Sequence, residues 1–188
     1  MVGIAGAPGV GKSTATVLLV EALQNSGTAA VALPMDGFHL AGSELVRLGC
    51  VDRKGAPDTF DVDGFVALLA RIRAGVHRPV YAPRFRREIE ESIAGEVAVL
   101  PSTRVVVVEG NYLLLDTGGW ESVRPLLDAC WYLDAADDKA RVERLVGRHV
   151  EHGRTGEQAA EWVNRSDQAN ARLIEGTRDA ADLVITVG

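Results

Sequence analysis

The sequence has few cysteines and no long apolar run. Its two cysteines, Cys50 and Cys130, lie far apart and lack the C-x-x-C spacing of zinc and redox sites. This argues against a disulfide framework and a zinc site, so a reducing cytoplasm is the expected location. No segment approaches the roughly 18 uncharged apolar residues of a membrane span, and no basic region precedes an apolar one at the N-terminus. We therefore expect neither membrane insertion nor export.

Positive charge is also in short supply. The net charge of −6 argues against a broad nucleic-acid-binding face, which would need a basic field. Internal repeats and low-complexity tracts are absent as well. The chain has 188 residues, of which 47% are apolar and 24% charged, which is typical of a globular protein. This length predicts one domain over residues 1–188, large enough for a layered α/β core.

A glycine-rich stretch near the N-terminus fits the pattern G-x-x-x-x-G-K-[ST]: Gly6-Ala7-Pro8-Gly9-Val10-Gly11-Lys12-Ser13-Thr14. In such a phosphate-binding loop the backbone N–H groups surround phosphate oxygens. Lys12 is expected to reach the β- and γ-phosphates, and the Ser13 hydroxyl to bind Mg²⁺. The pattern is meaningful only between a strand and a helix. The apolar residues 2–5 and the helical spacing of residues 14–25 supply both.

The rest of the chain alternates strands and helices. Further strands are predicted at residues 28–35, 104–109, 129–134 and 182–187, and helices at 40–50, from Asp61 to about 75, 137–152 and 157–175. Residues 78–87 are predicted as a loop or edge strand and 89–100 as a hairpin or edge strand, because two prolines interrupt the first segment. The pattern predicts the three-layer α/β fold of P-loop NTPases, with about five parallel strands flanked by helices and a small helical lid at about 141–156.

Two acidic residues follow predicted strands. Asp36 comes after residues 28–35 and Glu109 ends the run Val105–Val108. Ligands of open parallel sheets bind outside the carboxyl ends of the strands. Phosphoryl transfer needs one carboxylate beside Mg²⁺ and another that deprotonates the acceptor hydroxyl. We assign Asp36 as the base and Glu109 as the metal-side acid, although the reverse assignment stays open.

Arginines lie along one face of the predicted helix 137–152. Arg141, Arg144 and Arg148 are spaced i, i+3 and i+7, and Arg154 follows in a Gly-Arg-Thr-Gly turn. One interpretation is a solvated basic face paired with nearby glutamates. The other is a lid whose guanidinium groups stabilise the transferring phosphate, with Arg144 and Arg148 as catalytic residues.

Four segments resemble the phosphoribulokinase/uridine kinase group of P-loop kinases. They are Asp36-Gly37-Phe38-His39, the segment 54–61 (KGAPDTFD), Glu109-Gly110-Asn111-Tyr112 and the stretch 144–155. The segment 54–61 and the C-terminal residues 170–184 are most similar to the branch with bacterial pantothenate kinases and fructose transport-system kinase-like proteins. The resemblance implies transfer of the γ-phosphate of ATP, with Mg²⁺, to a hydroxyl of a small molecule such as a pantothenate-like compound, a sugar or a nucleoside.

The resemblance also implies roles for further residues. Adenine would lie near the loop 177–182, which contains Arg178, and Arg154 would join the nucleotide-binding arginines. The acceptor side would be formed by His39, Lys54, Asp58, Tyr81, Arg84, Arg87 and Tyr112.

Two other functions are compatible with a phosphate-binding loop. A catalytically weak ATP-binding module that regulates a transporter is one. A GTP-dependent switch is the other, because residues 61–64 (DVDG) and 164–167 (NRSD) resemble guanine-nucleotide motifs. The second is disfavoured, since residues 61–64 are predicted to open a helix instead of ending a strand, and residues 164–167 are predicted to lie in the middle of a helix instead of in a loop after a strand. The sequence leaves a homodimer open.

Overall fold

A five-stranded parallel sheet forms the centre of the protein, which a computed structural model describes over residues 1–188. The strands are β1 (Val2–Gly6), β2 (Ala30–Pro34), β5 (Val105–Glu109), β6 (Ala129–Ala135) and β7 (Leu183–Val187), and their order across the sheet is β2-β5-β1-β6-β7. All four pairings are parallel. The P-loop NTPase fold expected from the sequence is confirmed.

Helices cover both faces of this sheet. They are α1 (Lys12–Asn25), α2 (Gly42–Leu48), α3 (Val62–Arg73), α4 (Asp138–Glu151), α5 (Gly156–Trp162) and α6 (Gln168–Glu175). Successive residues of β5 face opposite layers: Val106 and Val108 belong to the larger core with α3, and Val107 belongs to the smaller core beneath α1. Burial on both faces accounts for the unbroken valine run.

A separate antiparallel hairpin joins β3 (Val80–Arg86) to β4 (Glu91–Val99). The sequence left this region open between loop, edge strand and hairpin, and the structure shows the hairpin. The register shifts between Ala82 and Arg84. Pro83 lies at that irregularity, where a residue without an N–H group is tolerated.

Two predicted elements differ in detail. The strand predicted over 28–35 ends at Pro34, and a 3-10 turn over Met35–Phe38 follows. This turn carries Asp36 away from the strand direction. The helix predicted over 157–175 is divided by a π-helical segment at Val163–Asp167. No helix is long and apolar enough to cross a membrane.

Candidate active site

The phosphate loop connects β1 to α1 and brings Lys12 and Ser13 to the first turn of the helix. Gly9 and Gly11 adopt left-handed backbone angles, with φ of 78° and 103°. A Cβ atom on Gly9 would lie 2.6 Å from the Leu145 side chain, so this position needs glycine both for its angle and for the approach of α4. The loop geometry therefore depends on helix α4 as well as on its own sequence.

Lys12 is buried inside this loop. Its ammonium donates to the carbonyl oxygens of Gly6, at 2.9 Å, and Ala7, at 3.0 Å. Burial lowers the pKa of Lys12 to about 8, against the opposing attraction of Glu109 and Asp36. A phosphate group near the ammonium would favour its charged form.

The two strand-end carboxylates both face the phosphate loop, in different surroundings. Glu109 is buried and accepts a hydrogen bond of 3.1 Å from the Ser13 hydroxyl. Burial, and then the negative charge of Asp36, raise the pKa of Glu109. Asp36 lies in the 3-10 turn after β2 and is approached by Arg87 at 3.4 Å. Glu109 therefore belongs with the serine that is expected to bind the metal, and Asp36 lies farther out.

Glycines allow the two acidic segments to pack closely. A Cβ on Gly110 would lie 2.5 Å from Cβ of Met35, so the end of β5 lies directly against the turn that holds Asp36. A Cβ on Gly37 would lie 2.3 Å from the carbonyl oxygen of Pro83. The turn is therefore held between the sheet edge and the β3–β4 hairpin.

The arginines of α4 have distinct environments. Arg141 is buried, donates to the Pro8 carbonyl at 2.9 Å and pairs with Asp138 at 2.7 Å. It supports the phosphate loop from behind and does not line the cavity that Arg144 and Arg148 share. Arg144 approaches the Gly9 carbonyl at 3.4 Å. Burial, and then repulsion from Arg87, lower the pKa of Arg148.

Two adjoining cavities lie over the carboxyl edge of the sheet. The first, about 250 Å³, contains Gly9, Gly11, Lys12, Ser13 and Thr14 of the loop together with Glu109 and Arg144, and we call it the loop cavity. The second, about 210 Å³, contains His39, Lys54, Phe60, Phe85 and Arg154, and we call it the outer cavity. Both are lined by Pro8, Asp36, Arg87, Asn111 and Arg148. Asp36 and Arg148 thus lie at the junction.

Three of the residues expected on the acceptor side line the outer cavity: His39, Lys54 and Arg87. The His39 ring packs between Phe60 and Phe85, with centroid distances of 4.0 Å and 4.8 Å. Burial lowers the pKa of His39. Lys54 lies 4.9 Å from the Phe85 ring centroid and pairs with Glu90 at 3.2 Å.

The other four lie elsewhere. Tyr81 and Arg84 are exposed and line neither cavity. Strand alternation directs Val80 and Ala82 inward, and the register shift between Ala82 and Arg84 then puts Phe85 inward and Arg84 outward. Asp58 pairs with Arg53 at the surface, at 2.8 Å.

Tyr112 is fully buried against Phe60 and Trp120, and its hydroxyl donates to the Gly55 carbonyl at 2.5 Å. In this structure the Tyr112 hydroxyl thus contacts the loop that carries Lys54 and does not line either cavity.

The two arginines expected to bind the nucleotide are also separated. Arg154 lines the outer cavity and not the loop cavity. Arg178 pairs with Asp134 at 3.1 Å and lines neither.

Sequence reasoning missed several cavity residues. Asn111 lines both cavities, and its place two residues after Glu109 is the one signal that could have identified it. Asn170 donates to the Gly55 carbonyl at 3.2 Å, and His149 lies 2.9 Å from Asp167. These contacts span distant segments, so spacing gave no sign of them.

The guanine-nucleotide fragments have no suitable context. Residues 61–64 open α3, where Asp61 accepts a hydrogen bond from the Gly64 N–H at 2.9 Å as the N-cap. Residues 164–167 lie within the π-helical segment, and Asp167 contacts His149. Residues 61–64 thus open a helix and residues 164–167 lie within a helical segment, as the sequence predicted.

Comparisons with known proteins give a consistent result. The profile of the phosphoribulokinase/uridine kinase family matches residues 1–188. A Schizosaccharomyces pombe protein named as a candidate uridine kinase is 35% identical, over 98% of this chain and 82% of its own length. The pantothenate kinase of Corynebacterium glutamicum is 33% identical over 72% of this chain, which corresponds to 43% of that protein. The crystal structure of a candidate fructose transport system kinase from Silicibacter sp. TM1040 superposes with a TM-score of 0.89 at 40% identity, covering 98% of this chain and 88% of that one.

Proposed function

This chain belongs to the phosphoribulokinase/uridine kinase family, and we propose that it uses ATP with Mg²⁺ to phosphorylate a hydroxyl of a small-molecule acceptor. Its class, a phosphotransferase with a hydroxyl acceptor, follows from the family and its kinase members. One observation carries the finer proposal. Asp36 lies where the loop cavity meets the outer cavity, between the place for a donor phosphate and a place for an acceptor.

On the donor side, the phosphate loop binds the triphosphate of ATP. Its N–H groups and the N-terminal end of α1 attract the phosphate oxygens. Lys12 contacts the β- and γ-phosphates. Arg144 and Arg148 line the same cavity and stabilise the negative charge of the transferring group.

The donor set at Ser13 and Glu109 fits Mg²⁺. Mg²⁺ prefers hard oxygen ligands and keeps several waters, using one or two protein groups together with substrate phosphates. A hydroxyl and a carboxylate 3.1 Å apart meet that need, and no cluster of three or more His, Cys, Asp or Glu residues offers a competing site. Bound there, the ion would neutralise charge on the phosphates during transfer.

On the acceptor side, Asp36 accepts the proton of the acceptor hydroxyl. The acceptor oxygen forms a bond to the γ-phosphorus while the bond from that phosphorus to the β–γ bridging oxygen breaks, so ADP leaves. Arg87, 3.4 Å from Asp36, helps to orient the carboxylate. His39 and Lys54 contact the acceptor from the wall of the outer cavity.

We assign residues 141–156 as a lid over the site. The segment carries Arg144 and Arg148 above the loop cavity and Arg154 above the outer cavity, so its position affects both substrates. The loop 177–182, with Arg178, is retained as the place for adenine on the grounds of the family resemblance.

Measurement of nucleoside diphosphate release, ADP from ATP and GDP from GTP, with matched acceptors tests this proposal. The panel is pantothenate, uridine, fructose and D-glycerate, each assayed with ATP and with GTP in the presence and absence of Mg²⁺. We expect ADP release that depends on one acceptor, on ATP and on Mg²⁺, and that Lys12→Ala lowers on the order of 10²-fold or more. Nucleotide binding without turnover on any acceptor would favour the regulatory ATP-binding module instead.

A further inference from the structure

The charged residues of the outer cavity are mostly paired with one another. Lys54 pairs with Glu90 at 3.2 Å, Arg87 with Asp36 at 3.4 Å, and His149 with Asp167 at 2.9 Å. Such pairs largely offset the charges inside the cavity. Few charged side chains of the outer cavity therefore lack a protein partner.

Arg148 and Arg154 are the exceptions, because neither guanidinium forms an ion pair or donates to a protein acceptor. Arg148 also lines the loop cavity, beside the place for the donor phosphates. Arg154 lies farther from that place, and its Nη1 is completely buried. Guanidinium N–H groups without acceptors are unfavourable, and an oxygen atom of a ligand in the outer cavity would accept from those N–H groups of Arg154 that remain accessible there. The guanidinium lies 4.0 Å from the centroid of the Trp162 ring. This stacking holds a planar donor group in place before any ligand arrives.

The position of Arg154 separates it from the donor phosphates. Of the two cavities of the site, Arg144 lines only the loop cavity, Arg148 lines both, and Arg154 lines only the outer one. Arg154 also lines a separate surface cavity that it shares with Trp162 and Arg165. Any anion bound at Arg154 therefore lies on the side of the site away from the phosphate loop. The family resemblance gave Arg154 to the nucleotide, and this geometry favours the acceptor.

We infer that the acceptor carries a negatively charged group, a carboxylate or a phosphate, and that this group binds the Arg154 guanidinium stacked on Trp162. The inference rests on the proposed function, because it describes the acceptor of the same transfer. The reacting hydroxyl then lies at Asp36 and the charged group at the far end of the outer cavity. Neutral molecules of the same size would leave the Arg154 donors unpaired and bind less well.

The experiment compares charged compounds with neutral counterparts by calorimetry, on protein saturated with a non-hydrolysable ATP analogue and Mg²⁺. The pairs are pantothenate with pantothenol, glycerate with glycerol, and fructose 1-phosphate with fructose, and inorganic phosphate is a minimal probe. The carboxylate and phosphate arms identify which anion is accepted. Initial rates with the same compounds are measured in parallel.

Arg154→Gln and Arg165→Gln form a matched pair of variants. Arg165 also lies over the Trp162 ring, at 5.5 Å, but does not line the outer cavity. We expect Arg154→Gln to weaken binding of the charged compound about 10- to 100-fold. Arg165→Gln should leave the affinity for the charged compound within about twofold of wild type. Arg154→Lys should have an affinity between those of wild type and Arg154→Gln, because lysine keeps the charge without the planar guanidinium. Thermal melting of each variant checks that it folds.

Three outcomes would overturn the inference. The first is equal affinity for the neutral and the charged compound of each pair, and the second is an Arg154→Gln variant that loses affinity for the ATP analogue but not for the charged compound. The third is no binding of any anion up to about 10 mM. Turnover of a neutral acceptor that is unaffected by Arg154→Gln would sink this inference while the kinase proposal stands. Arg154-dependent binding of an anion without turnover would support the inference and count against the kinase proposal.

Discussion

At the scale of single residues, burial distinguishes the two carboxylates, whose roles as base and metal-side acid the sequence left open. Glu109 is enclosed, its pKa is raised by burial, and its carboxylate accepts the Ser13 hydroxyl. Asp36 lies at the opening between two cavities and contacts Arg87. A base must reach both a solvent-delivered acceptor and the γ-phosphate. Only Asp36 occupies such a position, which supports the assignment made from the sequence.

Replacing Asp36 by asparagine should lower kcat on the order of 10²- to 10⁴-fold, because the amide cannot accept the hydroxyl proton. The KM for ATP should change little, since the proposed mechanism assigns binding of the triphosphate to Lys12 and the loop. Steady-state kinetics over both substrates measures the two effects separately.

Asp58→Asn is the matched control for this variant. Asp58 pairs with Arg53 at the surface and lines neither cavity of the site, so kcat and KM should stay within about twofold of wild type. A kcat loss in Asp58→Asn as large as in Asp36→Asn would contradict the assignment of the base.

Lys12 should make nucleotide binding dependent on pH. Its pKa is lowered by burial from 10.5 to about 8, so the ligand-free protein loses this proton well below the pH at which an unfolded chain would. Phosphate binding favours the ammonium, so affinity for an ATP analogue should fall about tenfold between pH 7 and pH 9. Calorimetry across this range measures the slope and the proton taken up on binding.

The lowered pKa of Lys12 has the opposite effect on the ligand-free protein, whose stability it increases as the pH rises. Between pH 8 and 10.5 the unfolded chain holds more protons at Lys12 than the folded one, so the contribution of this group to stability rises with pH. Lys12→Ala should bind the ATP analogue weakly and without the fall above pH 8. A wild-type affinity that is constant from pH 7 to pH 9 would refute this account.

At the scale of elements, the turn after β2 depends on a contact with the hairpin. Gly37→Ala would bring a Cβ within 2.3 Å of the Pro83 carbonyl, where backbone must move. We expect a loss of about 1–3 kcal/mol in the free energy of unfolding, together with lower kcat because Asp36 moves with the turn. Urea denaturation and kinetics measure the two effects.

Gly147→Ala provides the comparison, since a Cβ there meets nothing within 4 Å and the residue lies inside α4. It should raise the free energy of unfolding by up to about 1 kcal/mol, the usual preference for alanine in helices. Similar destabilisation by both variants would mean that the Gly37 contact is not the cause.

The elements also show which properties local sequence determines. The valine run of β5, the phosphate loop and the start of α3 at Asp61 were predictable because period, composition and helix-start signals are local. The positions of Tyr112 and Asn170, which both bind the Gly55 carbonyl, depend on segments far apart in the chain. The position of Tyr81 could not be predicted for a different reason, because the face that a strand residue occupies depends on register within a hairpin that the sequence left open.

At the scale of the whole molecule, the candidate site joins parts that are distant in the chain. It draws on the loop after β1, the turn after β2, the end of β5 and helix α4, and the outer cavity adds Asn170 of α6. Ligands bound there contact both the sheet edge and the helices above it. Binding should therefore stabilise the fold as a unit.

Thermal unfolding with a non-hydrolysable ATP analogue and Mg²⁺ tests this coupling. At a ligand concentration of about 100 times Kd, binding contributes about 2.7 kcal/mol. For a chain of this size, that corresponds to a rise in Tm of roughly 5–10 °C. Lys12→Ala should show a much smaller rise at the same concentration, because the ammonium that contacts the phosphates is gone. An equal rise in Tm in this variant would show that the ligand binds outside the phosphate loop. Two separate unfolding transitions, of which the ligand shifts only one, would show that it stabilises only one part of the molecule.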